Sequence, residues 1–279
     1  MNRRRFLQST ATLAAAAASG CASNSSDSGM VVSRELAFAF DDKGNRYEID
    51  IRGYTVRRVD ERGATAWTVG SAADSKFRNG PTSLVVDDAG NVYIADRGNG
   101  EIEKVSPSGV PVGTFGKELH FAHDIAFAPG ASLIFASDGP RNRIHAYDLQ
   151  GGAVRVFGTF GQQGAGLNFP HGLAVSDAQE LHVVDSGNAR IQVFGLDGGF
   201  RRSYGGASDS AGRLRGPRDI AFTPAGEAVV ADPTGRRLAW FDARGAFVGD
   251  AQVHLADNSI GNPAYVAVGP GGRLYVTVI

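Results

Sequence analysis

The sequence predicts an all-β chain, a six-bladed β-propeller built from four-stranded repeats. Three observations carry this expectation. A unit of 42 to 47 residues returns along the chain. Each unit divides into four short runs of alternating apolar and polar residues, separated by turn residues. No segment beyond the N-terminus has helical periodicity. A ring of such units leaves only short exposed edges.

The first thirty residues read as an address. Arg3, Arg4 and Arg5 precede Phe6 and Leu7, and an apolar run from Ala11 to Ala18 follows. The run is too short to span a bilayer as a helix, and the layout is that of an export signal. RRRFLQ is similar to the twin-arginine export motif, whose cargo crosses the membrane folded. Ala18-Ser19-Gly20-Cys21 resembles a bacterial lipobox, with Ala18 where leucine is commoner. That resemblance implies that Cys21 carries the lipid. The polar stretch after it, rich in Ser, Asn, Asp and Gly, has no reason to fold. Residues 1–21 are therefore expected to be the signal, 22–30 a tether and 31–279 the propeller. The expected location is the periplasm or cell envelope, beyond the bacterial inner membrane, with the lipid on Cys21 as membrane anchor.

The repeats follow in order. A first copy spans Glu35 to Gly63, and fuller copies run Gly80 to Gly109, Ala122 to Gly151, Pro170 to Gly198 and Gly216 to Gly245. Their closing glycines are spaced by 46, 42, 47 and 47 residues. Asp88-Ala89-Gly90-Asn91 is turn chemistry between two apolar runs. Leu84, Ile125, Leu173, Ile220 and Val266 are large at one offset of the innermost strand. The next offset is mostly small, which lets neighbouring sheets interdigitate near a crowded axis. Phe115, Phe157 and Tyr204 recur in outer strands and read as packing between blades. Asp96, Asp138, Asp185 and Asp232 close the second strands, where a carboxylate can hold turn amides. A sixth, shorter copy ends at Ile279. Either residues 30–33 lend a strand to close the ring, or one blade is incomplete, or the chain is truncated.

ADRGNGEI and VDSGNARIQVF are close to the NHL-repeat pattern, and residues 31–279 resemble that family throughout. The resemblance implies a propeller whose function sits at the channel mouth and the loops over it. At the offset opening each innermost strand stand Thr82, His123, His171, Arg218 and Ala264. The next offset holds Ser83, Asp124, Gly172, Asp219 and Tyr265. Thr82, His123, Asp124, His171, Arg218, Asp219 and Tyr265 are the expected mouth residues, because loops and strand ends on a rigid scaffold carry binding.

PHGLAV and ASDGPRNRIHAY are also similar to segments of peptidylglycine amidating lyases. That resemblance implies zinc at His171, with His123 at the equivalent offset one blade earlier. Two departures stand against it. Pro140 follows Ser137-Asp138-Gly139 where the lyase has its catalytic tyrosine, and Ala264 stands where a further histidine is expected. A zinc site takes three or four protein ligands. The candidates for a third are His120, His254, Asp124 and Asp219, while Arg218 would oppose a metal. Arg213, Arg215 and Arg218, with Arg141, are candidates for holding an anionic group.

Composition narrows the partners. A formal net charge of −1 gives no drive toward nucleic acid. One cysteine excludes a disulfide framework. No phosphate loop, nucleophile elbow or zinc-protease helix is present. The expected function is a binding or scaffold module whose mouth takes a protein, peptide or small molecule, without a required cofactor. The alternative is a zinc-dependent lyase or hydrolase of the amidating-lyase type.

Overall fold

The computed structural model describes residues 30–279, except 35, 42, 51–52, 61, 72–76 and 78–79. The export signal, Cys21 and the tether up to residue 29 lie outside the described residues. No helix among the described residues is long and apolar enough to cross a membrane.

Five four-stranded antiparallel blades follow one another. Blade 1 is β2 (Leu36–Phe40), β3 (Arg46–Asp50), β4 (Thr55–Val59) and β5 (Thr65–Val69). Blade 2 is β6 (Pro81–Val86), β7 (Val92–Asp96), β8 (Glu101–Val105) and β9 (Pro111–Phe115). Blade 3 is β10 (Ala122–Ala128), β11 (Leu133–Asp138), β12 (Arg143–Asp148) and β13 (Ala153–Phe157). Blade 4 is β14 (Pro170–Val175), β15 (Glu180–Asp185), β16 (Arg190–Gly195) and β17 (Phe200–Tyr204). Blade 5 is β18 (Asp219–Phe222), β19 (Ala228–Asp232), β20 (Arg237–Phe241) and β21 (Phe247–Ala251). A small hairpin, β22 (Val253–His254) with β23 (Ile260–Gly261), leads to blade 6.

Blade 6 resolves the question of closure. Its sheet is β24 (Pro263–Val268), β25 (Leu274–Val278) and the N-terminal β1 (Met30–Ser33). β1 pairs parallel to β25, with Met30 opposite Leu274 and Ser33 opposite Thr277. Residues 30–33 therefore do lend a strand, and the blade has three strands where the others have four.

The core is divided among the seams between blades. One buried apolar cluster lies at each of the six blade-to-blade contacts. The smallest buries Val31 and Tyr275 of blade 6 against Leu36 and Phe38 of blade 1. The outer-strand aromatics pack as expected. Phe115 meets Tyr147, Phe157 meets Phe194 and Tyr204 meets Phe241, with ring centroids 5.0 to 5.3 Å apart. The closing glycine of the next blade lies under the same ring. A Cβ on Gly151 would come within 2.6 Å of Phe115, and one on Gly245 within 2.7 Å of Tyr204. Both glycines also have φ near +88°, so conformation and contact each require glycine there.

The innermost strands depart from regular pairing where the chain reaches the mouth. Register shifts fall between Pro81 and Ser83, Ala122 and Ile125, Pro170 and Leu173, and Pro263 and Tyr265. Such irregularities re-aim side chains at the end of a strand. The shifts in β10 and β14 bracket His123-Asp124 and His171-Gly172.

Candidate functional site

The irregular strand ends bring the two histidines together. The His123 and His171 rings lie with centroids 4.4 Å apart, tilted by 38°. Ser137 of β11 locks them across the seam. Its hydroxyl donates to the His171 carbonyl at 2.6 Å and accepts from the Asp124 N–H at 3.1 Å. Gly139 makes room for His123, since a Cβ there would come within 2.7 Å of the imidazole. Both histidines are nine-tenths buried. Burial, then the charges of Arg97 and Arg218, pushes His123 down to about 4. Burial also holds His171 well below the ordinary range, followed by the charges of His123, Arg218 and Arg97. Both imidazoles are neutral near pH 7.

The neighbouring blades extend the site. Arg218 donates to the Tyr265 hydroxyl at 3.0 Å, and its guanidinium carbon lies 5.0 Å from the centre of that ring. Arg97, just after β7, lies 5.4 Å from the centre of the Phe121 ring. Phe121 in turn stacks on His123 at 5.9 Å, and Phe169 meets His123 at 5.2 Å. Phe169 holds a left-handed backbone, φ 52°, with its N–H donating to Asn142 Oδ1. For a bulky residue that conformation costs about 1–2 kcal/mol, and such strain clusters at functional sites.

Not every mouth residue faces a ligand. Thr82 is buried and its hydroxyl donates to the Ala122 carbonyl, stapling blade 2 to blade 3. Asp124 accepts from the N–H of Ile125 and, across the seam, from that of Leu173 at 2.6 Å. Asp219 repeats the pattern with Ile220 and Val266. Both carboxyls are pushed up, by burial first, Asp219 also by the charge of Asp124. They line a channel of about 350 Å³ together with Ser83, Leu173 and Tyr265.

Among the described residues, no three His, Cys, Asp or Glu side chains are grouped to hold a metal. His120 packs edge-on against Phe121, and His254 lies on the β22–β23 hairpin. The arginines also separate. Arg213 and Arg215 line another cleft with Arg237 and Asp250, where Arg237 is paired to Asp232 and Asp250. Arg141 donates to the Glu118 carbonyl. Only Arg218 of that set reaches the mouth.

Sequence reasoning missed Arg97, Ser137 and the flanking phenylalanines. Arg97 follows the recurring aspartate, where the later blades have Gly139, Ser186 and Pro233. A long cation at an offset that is compact in the three later blades was the available signal. The recurring aspartates do hold the loops over the mouth. Asp138 accepts from the His120 N–H, Asp185 from Asn168 and Asp232 from Gly216.

Comparisons with known proteins agree with this fold. The NHL repeat model matches residues 79–104 and 167–194. No curated protein matches the chain by sequence. Among solved structures, a streptogramin B lyase is similar at 12% identity and TM-score 0.66, over 88% of this chain and 90% of that one. A virginiamycin B lyase from Staphylococcus aureus is similar at 14% identity and TM-score 0.66, over 88% and 78%. A nidogen/laminin complex is similar at 20% identity and TM-score 0.62, over 88% and 85%. At these identities the likeness is one of fold. The chain is a six-bladed β-propeller that carries NHL repeats at residues 79–104 and 167–194.

Proposed function

We propose that the chain is an exported, lipid-anchored binding module that captures its ligand at the channel mouth. An NHL-repeat propeller supports a binding or scaffold role. The observation that carries the reading is the composition of the mouth. Two neutral imidazoles, two guanidiniums and a phenol converge there, without a grouped set of metal ligands among the described residues. Export and anchoring rest on the N-terminal RRRFLQ, the apolar run and Cys21.

A second reading is favoured by one feature, the paired neutral histidines on a fold shared with two lyases. In that reading the pair, with a third ligand, would hold a zinc whose Lewis acidity drives elimination or hydrolysis. Elemental analysis of the domain from Ala22, with Cys21 removed, separates the two. A stoichiometric zinc lost in His123→Ala or His171→Ala would carry the lyase. Its absence, with saturable ligand binding abolished by mouth substitutions, would carry the module. For the anchor, Cys21→Ser in the full chain is expected to move the protein from the membrane to the soluble envelope fraction.

A further inference from the structure

Neither arginine of the mouth is paired to a carboxylate, unlike five other partly buried arginines of the molecule. Arg190 is paired to Asp185, Arg237 to Asp232, Arg202 to Glu180, and Arg46 and Arg57 to Glu48. Arg97 makes no hydrogen bond or ion pair among the described residues, and Arg218 has only the Tyr265 hydroxyl. Nε2 of His123, a side chain 7% exposed, is buried without a hydrogen-bond partner. The channel carboxylates Asp124 and Asp219 are turned to backbone N–H groups. Two guanidiniums without a carboxylate partner, both acting on the same histidine pair, create a field that repels a cation and attracts an anion. The same mouth presents apolar surface. Phe121 and Phe169 flank His123, and Phe169 stays 42% exposed on its strained backbone.

We infer that the mouth binds a small carboxylate bearing an aromatic or apolar group, with Arg97 and Arg218 on the anion and Phe121 and Phe169 against the apolar part. Planar guanidinium forks match a planar carboxylate. Aromatic faces beside a charge site favour an amphiphilic ligand over a bare ion. The inference rests on the binding-module reading and names the ligand class for the same site.

The test uses the mature chain, with phenylacetate as probe, its neutral isostere phenylacetamide, and inorganic phosphate, by titration calorimetry. Phenylacetate is expected to bind saturably, with the amide at least tenfold weaker. Arg97→Gln and Arg218→Gln are each expected to weaken phenylacetate at least tenfold, the loss of one charge-assisted contact. Arg213→Gln, in the other cleft, is expected to leave it unchanged. Equal affinity for acid and amide overturns the inference without reference to any variant. Phosphate binding more tightly than phenylacetate, with the same arginine dependence, overturns the ligand class. If no probe binds while mouth substitutions still abolish capture of a native ligand, this inference falls and the binding-module reading stands. If no probe binds and a zinc is retained by the two histidines, both fall.

Discussion

Replacing Gly172 with alanine tests how tightly blades 4 and 5 are joined at the mouth. Gly172 has an ordinary backbone, so left-handed strain plays no part. Its N–H donates to the Arg218 carbonyl at 3.0 Å. A Cβ built there would lie 2.7 Å from Asp219 Cα and 2.8 Å from the Arg218 carbonyl oxygen. Ordinary contact begins at 3.4 Å. Both obstacles are backbone, so no rotamer relieves them, and the seam must open by several tenths of an ångström. Overpacking of this kind costs about 1–3 kcal/mol, and the stretched backbone hydrogen bond about 1 kcal/mol more. Reduced freedom of the unfolded chain returns about 0.5 kcal/mol. The net is a loss of about 1.5–3.5 kcal/mol, or a fall in Tm of roughly 3–14 °C for a domain of this size. Gly113→Ala is the control, because nothing lies within 4 Å of its Cβ and its φ is also ordinary. Thermal denaturation by circular dichroism gives both values. A Gly172→Ala midpoint within 2 °C of Gly113→Ala would refute the reasoning.

Asp124→Ala removes the acceptor for the Ile125 and Leu173 N–H groups. It is expected to destabilise by about 2–4 kcal/mol in urea unfolding, with Asp124→Asn costing less because one oxygen remains. His182 tests acid sensitivity. It is 3% exposed, bonded to the Tyr204 hydroxyl at 3.0 Å, and pushed down by burial to about 3. The folded state therefore binds fewer protons than the unfolded chain. Its contribution is complete above about pH 6.5 and is lost as pH falls toward 3. Between pH 8 and pH 5 the loss from this group alone is about 2 kcal/mol. The stability gap between wild type and His182→Gln should shrink by that amount over the same interval, and an unchanged gap would contradict the assignment.

The fold was legible because a propeller repeats one physical problem. Each blade needs the same turn, the same aromatic and the same closing glycine, so Phe115 over Gly151 and Tyr204 over Gly245 left periodic marks. The histidine pair was legible for the same reason, since equal offset means equal height around the axis. Offset does not say what a side chain bonds to. Thr82, Asp124 and Asp219 share the ring but staple blades, because backbone N–H and C=O groups across each seam need partners. Arg97 and Phe169 come from connecting segments, where no period constrains the residue. The short β1 carried too little pattern to be assigned, and only its pairing with β25 gives it a place.

That pairing makes the molecule a clasp. The seam is made by groups more than two hundred residues apart, as in the Thr277 hydroxyl donating to the Leu36 carbonyl. A growing chain can fold blade upon blade, yet β1 waits with an open edge until β25 has been made. The ring locks only then. The same joint takes the load when the chain is pulled from its N-terminal side, since tension on residue 30 acts directly on β1. The neighbouring seam, between blades 6 and 1, holds the smallest buried cluster among the described residues, so the ring closes where its packing is thinnest.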